Sequence, residues 1–169
     1  AHDDHAGFLN ELLSKYSDIK VIVHNRAMPT LLRGQNSFCG GCSSLMALAF
    51  CKFMGLIGKG KHLFPAIDRQ NIDRFVEISP QNQMNLETIL QGKILFTPGH
   101  TSDSISLQIG DKIFCGDAAM NGIPSFKRVT IWIEDKSAFQ NSWNILMNEK
   151  ADWIYPAHGK PFRRENLKK

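Results

Sequence analysis

Short apolar segments that stop beside a glycine or a proline dominate the second half of the chain. Segments of this length, rich in β-branched and aromatic residues and bounded by turn residues, are typical of β-strands. The predicted strands are residues 93–97, 104–109, 112–115 and 153–155. Pro98-Gly99 and Gly110-Asp111 provide turns between them, and the latter predicts a hairpin. The chain is therefore constrained to build a sheet whose strand ends carry sharp turns.

The first half of the chain adds helices and isolated strands. Apolar residues at helical spacing predict helices over residues 6–16, 25–32, 45–56 and 137–148, and β-branched runs predict strands over residues 20–24 and 74–78. Ser137 is the predicted N-cap of the last helix. Helices interspersed with short strands indicate an α/β layout with helices packed on a sheet.

The longest apolar run covers residues 45–57. It predicts a buried helix under a loop, with a lid or a substrate-facing wall as the alternative. Because the run is well short of the roughly 20 residues that cross a bilayer, we expect no membrane partner. A chain of 169 residues fits a single domain over residues 1–169, in which residues 33–73 form a lid or insert.

Charge and cysteine content narrow the class of protein further. The net charge of +4 is spread along the chain apart from one short cluster near its end, so we expect no nucleic-acid partner. Cys39 and Cys42 form a C-x-x-C pair, which a redox couple or half a zinc site would use, but the glycines between them favour free thiols in a loop. With no secreted disulfide pattern, we expect a cytoplasmic protein.

Histidines and one aspartate recur where predicted strands end or turns begin. His2 and His5 lie in AHDDH, His100 in TPGHTSDS, Asp117 in FCGDAA and His158 in YPAHGKPF. Loops on a rigid sheet are where sites are built, and imidazole with carboxylate suits zinc, iron or manganese. One such residue alone would be an ordinary surface group, but five in the same setting predict a metal site.

These motifs resemble those of the metallo-β-lactamase-fold hydrolases. That family has H-x-H-x-D-H after a strand, then T-P-G-H-T, then G-D, then P-x-H-G. Here the matching segments are His2-Asp3-Asp4-His5, Thr97-Pro98-Gly99-His100-Thr101, Gly116-Asp117 and Pro156-Ala157-His158-Gly159, in the same order. The resemblance covers residues 1 to about 162 and implies the αββα sandwich of that family.

The resemblance also implies a role for each residue. His2 and His100 match ligands of a first metal, Asp4, His5 and His158 match ligands of a second, and Asp117 matches the carboxylate that bridges both. The implied cofactors are two divalent ions, zinc first, with iron or manganese as alternatives. Asp4 is the implied catalytic residue, which orients a hydroxide held between the metals. Ser102, Asp103 and Ser104 are candidates for hydrogen bonds to the ligands.

One feature departs from the family pattern. The motif has a further histidine two residues before His2, whereas this sequence begins at Ala1. We therefore expect a sandwich that lacks its N-terminal strands and one ligand of the first metal in this chain. An exposed sheet edge would then favour a missing N-terminal segment or a homo-oligomer as partner.

The expected function is metal-dependent hydrolysis of a small-molecule ester, thioester, lactone or phosphoester. Asp4-His5 is typical of that branch, and β-lactam-opening enzymes usually have another residue where His5 stands. One alternative is an iron-dependent redox member such as a sulfur dioxygenase. The other is a non-catalytic metal-binding module that another chain completes.

Overall fold

The computed structural model describes residues 1–37, 39–58, 60–125 and 127–167. Phe38 and Lys59, both inside the predicted lid, lie outside the described residues, as do Phe126 and the last two lysines. The helices are α1 (Asp3–Ala6), α2 (Leu9–Lys15), α3 (Met28–Arg33), α4 (Leu45–Leu56), α5 (Gln83–Leu90) and α6 (Lys136–Asn148). The strands are β1 (Val21–His24), β2 (Gly41–Cys42), β3 (Phe75–Ile78), β4 (Lys93–Phe96), β5 (Ile105–Ile109), β6 (Lys112–Gly116), β7 (Trp132–Ile133), β8 (Trp153–Pro156) and β9 (Phe162–Arg163).

The main sheet has five strands in the order β4-β5-β6-β8-β9. Neighbouring strands are antiparallel except β6 and β8, which run parallel with Ile113 opposite Ile154. The predicted hairpin is confirmed as β5 and β6. Two smaller sheets flank it: β1 lies parallel to β3, and β2 lies antiparallel to β7.

Helix α6 covers one face of the main sheet, as its amphipathic sequence requires. Its Phe139, Trp143 and Leu146 pack with Ile113 and Ile154 in one buried cluster. The indole Nε1 of Trp143 donates to the carbonyl of Ala118 at 2.8 Å, so the buried N–H has its partner. This packing fixes the turn that follows β6 against the helix.

Two local predictions are wrong. Helix α6 begins one residue earlier than predicted, and its N-cap is Asp135, whose Oδ1 accepts from the Ala138 N–H at 2.9 Å. Ser137 lies inside the first turn instead. The predicted helix over residues 6–16 is shorter: it forms α2 from Leu9, and Ala6 instead ends the separate helix α1.

Helix α4 has the predicted bounds but not the predicted burial. It begins after Ser44, whose Oγ accepts from the Ala47 N–H. Ala47 is its one buried residue, whereas Leu45 and Leu56 are 84% and 87% exposed. An apolar run predicts a helix from its length and composition, but burial depends on what lies against it. In the described part of the chain, no helix combines the length and apolar character needed to cross a membrane.

Candidate metal centre

Three strands of the main sheet place site residues at one edge. β4, β6 and β8 point the same way, because β4 and β6 are each antiparallel to β5 and β8 is parallel to β6. His100 follows β4, Asp117 follows β6 directly, and His158 follows β8. Their carboxyl ends therefore meet at the same edge, which is why distant positions in the sequence converge.

The first five residues provide the rest of the cluster. His2 has extended backbone and its carbonyl accepts from the Ala6 N–H at 2.8 Å, so it starts the short helix α1. Asp4 and His5 lie within that single turn. The turn presents consecutive side chains toward the edge of the main sheet.

One group of possible ligands consists of His2, His100 and Asp117. The Nε2 atom of His100 lies 3.2 Å from Nδ1 of His2 and 3.3 Å from Oδ2 of Asp117. His100 and Asp117 are buried, and His2 is partly buried. The three ligand atoms lie within 4.8 Å of one another, a spacing at which a single ion could contact all three.

A second group consists of Asp4, His5 and His158. The Nε2 atom of His158 is 2.9 Å from Oδ2 of Asp4, and the Nε2 atom of His5 is 3.8 Å from Oδ1 of Asp4. This group is more exposed to solvent than the first.

Asp117 joins the two groups. Its Oδ2 lies 3.1 Å from Nε2 of His5 as well as 3.3 Å from Nε2 of His100. Its Oδ1 lies 3.6 Å from Nε2 of His158. One buried carboxylate thus faces histidines of both groups, which is the geometry that a bridging ligand requires.

Burial favours a neutral imidazole at His2 of the first group. Burial lowers the pKa of His2 to about 4, and nearby His100 adds to the effect. Burial also opposes ionisation of Asp117, but the hydrogen bond from His5 and the charge of His100 outweigh it and lower its pKa. A neutral histidine beside a carboxylate is the protonation state that metals bind.

The second group is a network of opposite charges in the absence of metal. The hydrogen bond from His158 holds the pKa of Asp4 well below its usual range. The reciprocal bonds, from His158 to Asp4 and from His5 to Asp117, raise the pKa of both histidines. A cation placed here would replace the protons that these histidines carry.

The cluster has unmet bonding capacity that a cation would satisfy. Nε2 of His2 and Oδ1 of Asp117 are buried and have no hydrogen-bond partner among the described residues. Buried polar atoms of this kind are costly unless something binds them. The donor set of imidazole and carboxylate therefore fits divalent zinc, iron or manganese.

Two supports of the cluster could not be foreseen from sequence. Nδ1 of His100 lies 2.7 Å from the carbonyl of Trp132, which leaves Nε2 turned toward Asp117. Asn36 and Asp3 form two hydrogen bonds behind α1. The sequence pattern does not show which backbone carbonyl will accept a hydrogen bond from a ligand. Nor does it show that an asparagine will contact an aspartate 33 residues away.

Two glycines let the backbone bend next to ligands. A Cβ at Gly99, where φ is +132°, would lie 2.2 Å from the Phe139 nitrogen. A Cβ at Gly159, where φ is +97°, would lie 1.9 Å from the Asn121 carbonyl oxygen. Only glycine fits such close approaches, so His100 and His158 each depend on a neighbouring glycine.

All six predicted site residues are thus brought together, in the two predicted groups, while their binding of metal stays a prediction. The residues predicted to hydrogen-bond the ligands form other contacts instead. Ser104 Oγ contacts Thr101, and the Ser102 N–H donates to Oε2 of Glu134. These contacts stabilise the loop after β4, and His100 itself is held by Trp132.

Comparison with solved structures identifies the fold. An archaeal metallo-β-lactamase superfamily protein from Sulfolobus tokodaii matches 98% of this chain with a TM-score of 0.62 and 20% identity. TTHA1623 in a di-iron-bound form matches 98% with a TM-score of 0.62 and 18% identity. The BLEG-1 B3 metallo-β-lactamase matches 98% with a TM-score of 0.57 and 16% identity. No protein-family model matches the sequence.

The chain has the metallo-β-lactamase fold, as its motifs predicted. It spans 61% of the archaeal protein, 70% of TTHA1623 and 69% of BLEG-1. At these identities the likeness concerns the fold alone. What the site does is therefore argued from its residues.

Proposed function

We propose that the protein is a metal-dependent hydrolase that acts on an ester, thioester, lactone or phosphoester of a small molecule. The observation that carries this proposal is the position of Asp117, whose Oδ2 lies within 3.3 Å of Nε2 atoms from both ligand groups. A buried carboxylate shared by two histidine groups is the arrangement expected of a two-metal site.

One ion would be held by His2 and His100, and the other by Asp4, His5 and His158. Asp117 would bind both ions. We propose zinc as the metal, with iron or manganese as alternatives. Iron is included because one fold neighbour is a di-iron form. When bound, two divalent cations would lower the pKa of bound water and neutralise the negative charge that develops on the substrate.

The protein's own residues would orient the reactants. Asp4 is held as a carboxylate by His158, because its pKa is lowered by that hydrogen bond. It can accept a hydrogen bond from the attacking water and fix its direction. The carbonyl of Trp132 holds the imidazole of His100 in one orientation, with Nε2 turned toward the metal position.

The proposal is tested by kinetics on the zinc-loaded full chain with a panel of esters, thioesters, lactones and phosphodiesters. We expect turnover of at least one class that is lost on chelation and restored by zinc. No turnover of any class would contradict the hydrolase proposal. Oxygen consumption by the iron-loaded protein with a persulfide would instead favour the redox alternative.

A further inference from the structure

A cavity of about 450 Å³ lies between the start of α4 and the segment that leads into β7. Leu45, Met46 and Ala47 line it on the helix side, and Val129 and Ile131 line it on the other side. Its volume falls in the range of small-molecule sites, and such sites are mostly apolar. None of the metal-centre residues lines this space, which we call the α4 cavity.

Both walls of the α4 cavity are bonded to segments that hold the metal centre. The Ser43 N–H donates to the Ile131 carbonyl at 2.8 Å, and the next residue, Trp132, provides the carbonyl that holds His100. Pro124, also a lining residue, follows Asn121, whose N–H donates to the His158 carbonyl at 2.9 Å. The cavity is therefore built onto the supports of both ligand groups.

Helix α4 also has exposed apolar side chains outside the cavity, beyond Leu45, which lines it. Besides Leu45 and Leu56, Phe53 is 58% exposed, and these three side chains project from the helix face opposite buried Ala47. Exposed apolar side chains beside a cavity favour a site for an apolar ligand.

Charge selects among apolar ligands. Lys127 is the one ionisable side chain among the described residues that line the cavity. No aspartate or glutamate occurs from residue 19 to residue 67, the stretch that includes α4. A cation at the wall with no acidic residue on the helix favours an anionic amphiphile and disfavours a cationic one.

We propose that the α4 cavity binds the apolar acyl chain of the substrate, and that the substrate is a medium-chain acyl ester or thioester of net negative charge. This inference rests on the proposed hydrolase function and specifies its substrate class. In the reaction, water adds to the acyl carbon, the C–O or C–S bond breaks, and the leaving alcohol or thiol takes a proton. The products are the carboxylate, that alcohol or thiol, and a proton released to solvent.

Binding is tested first without catalysis. Calorimetry on the full-length polypeptide, with a chelator present, compares decanoate, acetate and decyltrimethylammonium. Acetate lacks the alkyl chain of decanoate, and decyltrimethylammonium has a cationic head group in place of the carboxylate. We expect decanoate to bind at least about tenfold more tightly than acetate, because acetate lacks the apolar chain, and than decyltrimethylammonium, because Lys127 repels its cationic head group. Equal binding of acetate and decanoate would overturn the cavity assignment.

Met46→Asp places a carboxylate in the cavity wall at a half-exposed position, so folding tolerates it. Met84→Asp, on the exposed face of α5 and away from the lining residues, is the matched control. We expect decanoate affinity to fall at least about tenfold in the first variant only. Unchanged affinity in Met46→Asp, or equal losses in both variants, would overturn the proposal.

A series of acetyl to decanoyl thioesters then separates the two claims. We expect kcat/KM of the zinc-loaded protein to rise with chain length, and Met46→Asp to abolish that rise while Met84→Asp keeps it. Turnover without any chain-length preference overturns the α4 cavity and leaves the hydrolase function standing. Decanoate binding without turnover of any thioester supports the cavity and contradicts hydrolysis of that class.

Discussion

Asn36 and Asp3 form two reciprocal hydrogen bonds directly behind the metal centre. The Asp3 N–H donates to Oδ1 of Asn36 at 2.8 Å, and Nδ2 of Asn36 donates to Oδ1 of Asp3 at 2.7 Å. Nδ1 of His62 lies 3.3 Å from both carboxylate oxygens of Asp3. Asn36 is only 7% exposed, so this contact joins the segment before α4 rigidly to the turn that carries Asp4 and His5.

Replacing Asn36 by alanine removes both of those bonds. We expect zinc affinity of the Asp4–His5–His158 group to fall by at most about tenfold, the low end of the effect of losing a direct partner of a ligand, because Asn36 orients Asp3, the neighbour of Asp4, and not a ligand itself. Competition with a chelator measures this affinity. Asn85→Ala, at an exposed position of α5, is the control. Equal zinc affinity in Asn36→Ala and wild type would show that Asp3 does not position the ligands.

Gly159→Ala tests the close approach beside His158. Its Cβ would overlap the Asn121 carbonyl, so the backbone must shift and carry His158 away from Asp4. We expect loss of zinc from the second group and a lower free energy of unfolding. Gly110→Ala also has positive φ, at +56°, but its Cβ meets open space. It should cost only about 1–2 kcal/mol and keep its zinc, and equal behaviour of the two variants would contradict this account.

The packing of α6 on the sheet predicts a large difference between two neighbouring positions. Leu146 is fully buried in the main core cluster, whereas Ile145 is partly exposed on the same helix. Leu146→Ala should lower the free energy of unfolding by about 2–5 kcal/mol because it leaves a cavity. Ile145→Ala should change it by less than about 1 kcal/mol. Denaturant unfolding of both variants measures the difference, and similar losses would be inconsistent with the packing.

The thiols should react in an order set by burial. Burial raises the pKa of Cys115 to about 12, and burial together with Cys42 raises that of Cys51 to about 11. All four cysteines are free, and Cys39 is exposed. Alkylation of the folded protein at pH 8, followed by mass spectrometry, should label Cys39 first and Cys115 only in denaturant.

The raised pKa of Cys115 predicts how the free energy of unfolding depends on pH. The Cys115 pKa is raised above its ordinary value of 9.0, so the folded state keeps its proton where the unfolded state has lost it. The stability from this thiol is complete below pH 9 and is lost as pH rises toward 12. Cys115→Ala should weaken that alkaline loss, and an unchanged alkaline profile would contradict it.

Three ligands could be predicted from the residues themselves because each follows a strand and lies beside a turn residue, whereas the assignment of each ligand to one of two metals came from the resemblance to the metallo-β-lactamase motifs. Gly99-His100, Gly116-Asp117 and His158-Gly159 are local signals, and parallel strand directions bring them together without further information. The supports of the site have no such signal. The Trp132 carbonyl and Asn36 act across 32 and 33 residues, and only the folded chain brings them to their partners.

The exposure of α4 shows a different limit of sequence patterns. Its composition predicted a helix correctly, but apolar composition does not distinguish a core helix from one that faces a ligand or partner. Likewise, Asp135 and Ser137 are both good N-cap residues two positions apart, so local preference alone does not decide which one begins α6.

The central claim is that Asp117 joins two metal sites, and metal content of the purified full chain tests it most directly. After loading with zinc and removal of the excess, native mass spectrometry should find about two ions per wild-type chain. Asp117→Asn should lose both, whereas Asp111→Asn, which removes an exposed carboxylate from a turn, should keep both. Two ions retained by Asp117→Asn, or none bound by the wild type, would contradict the account.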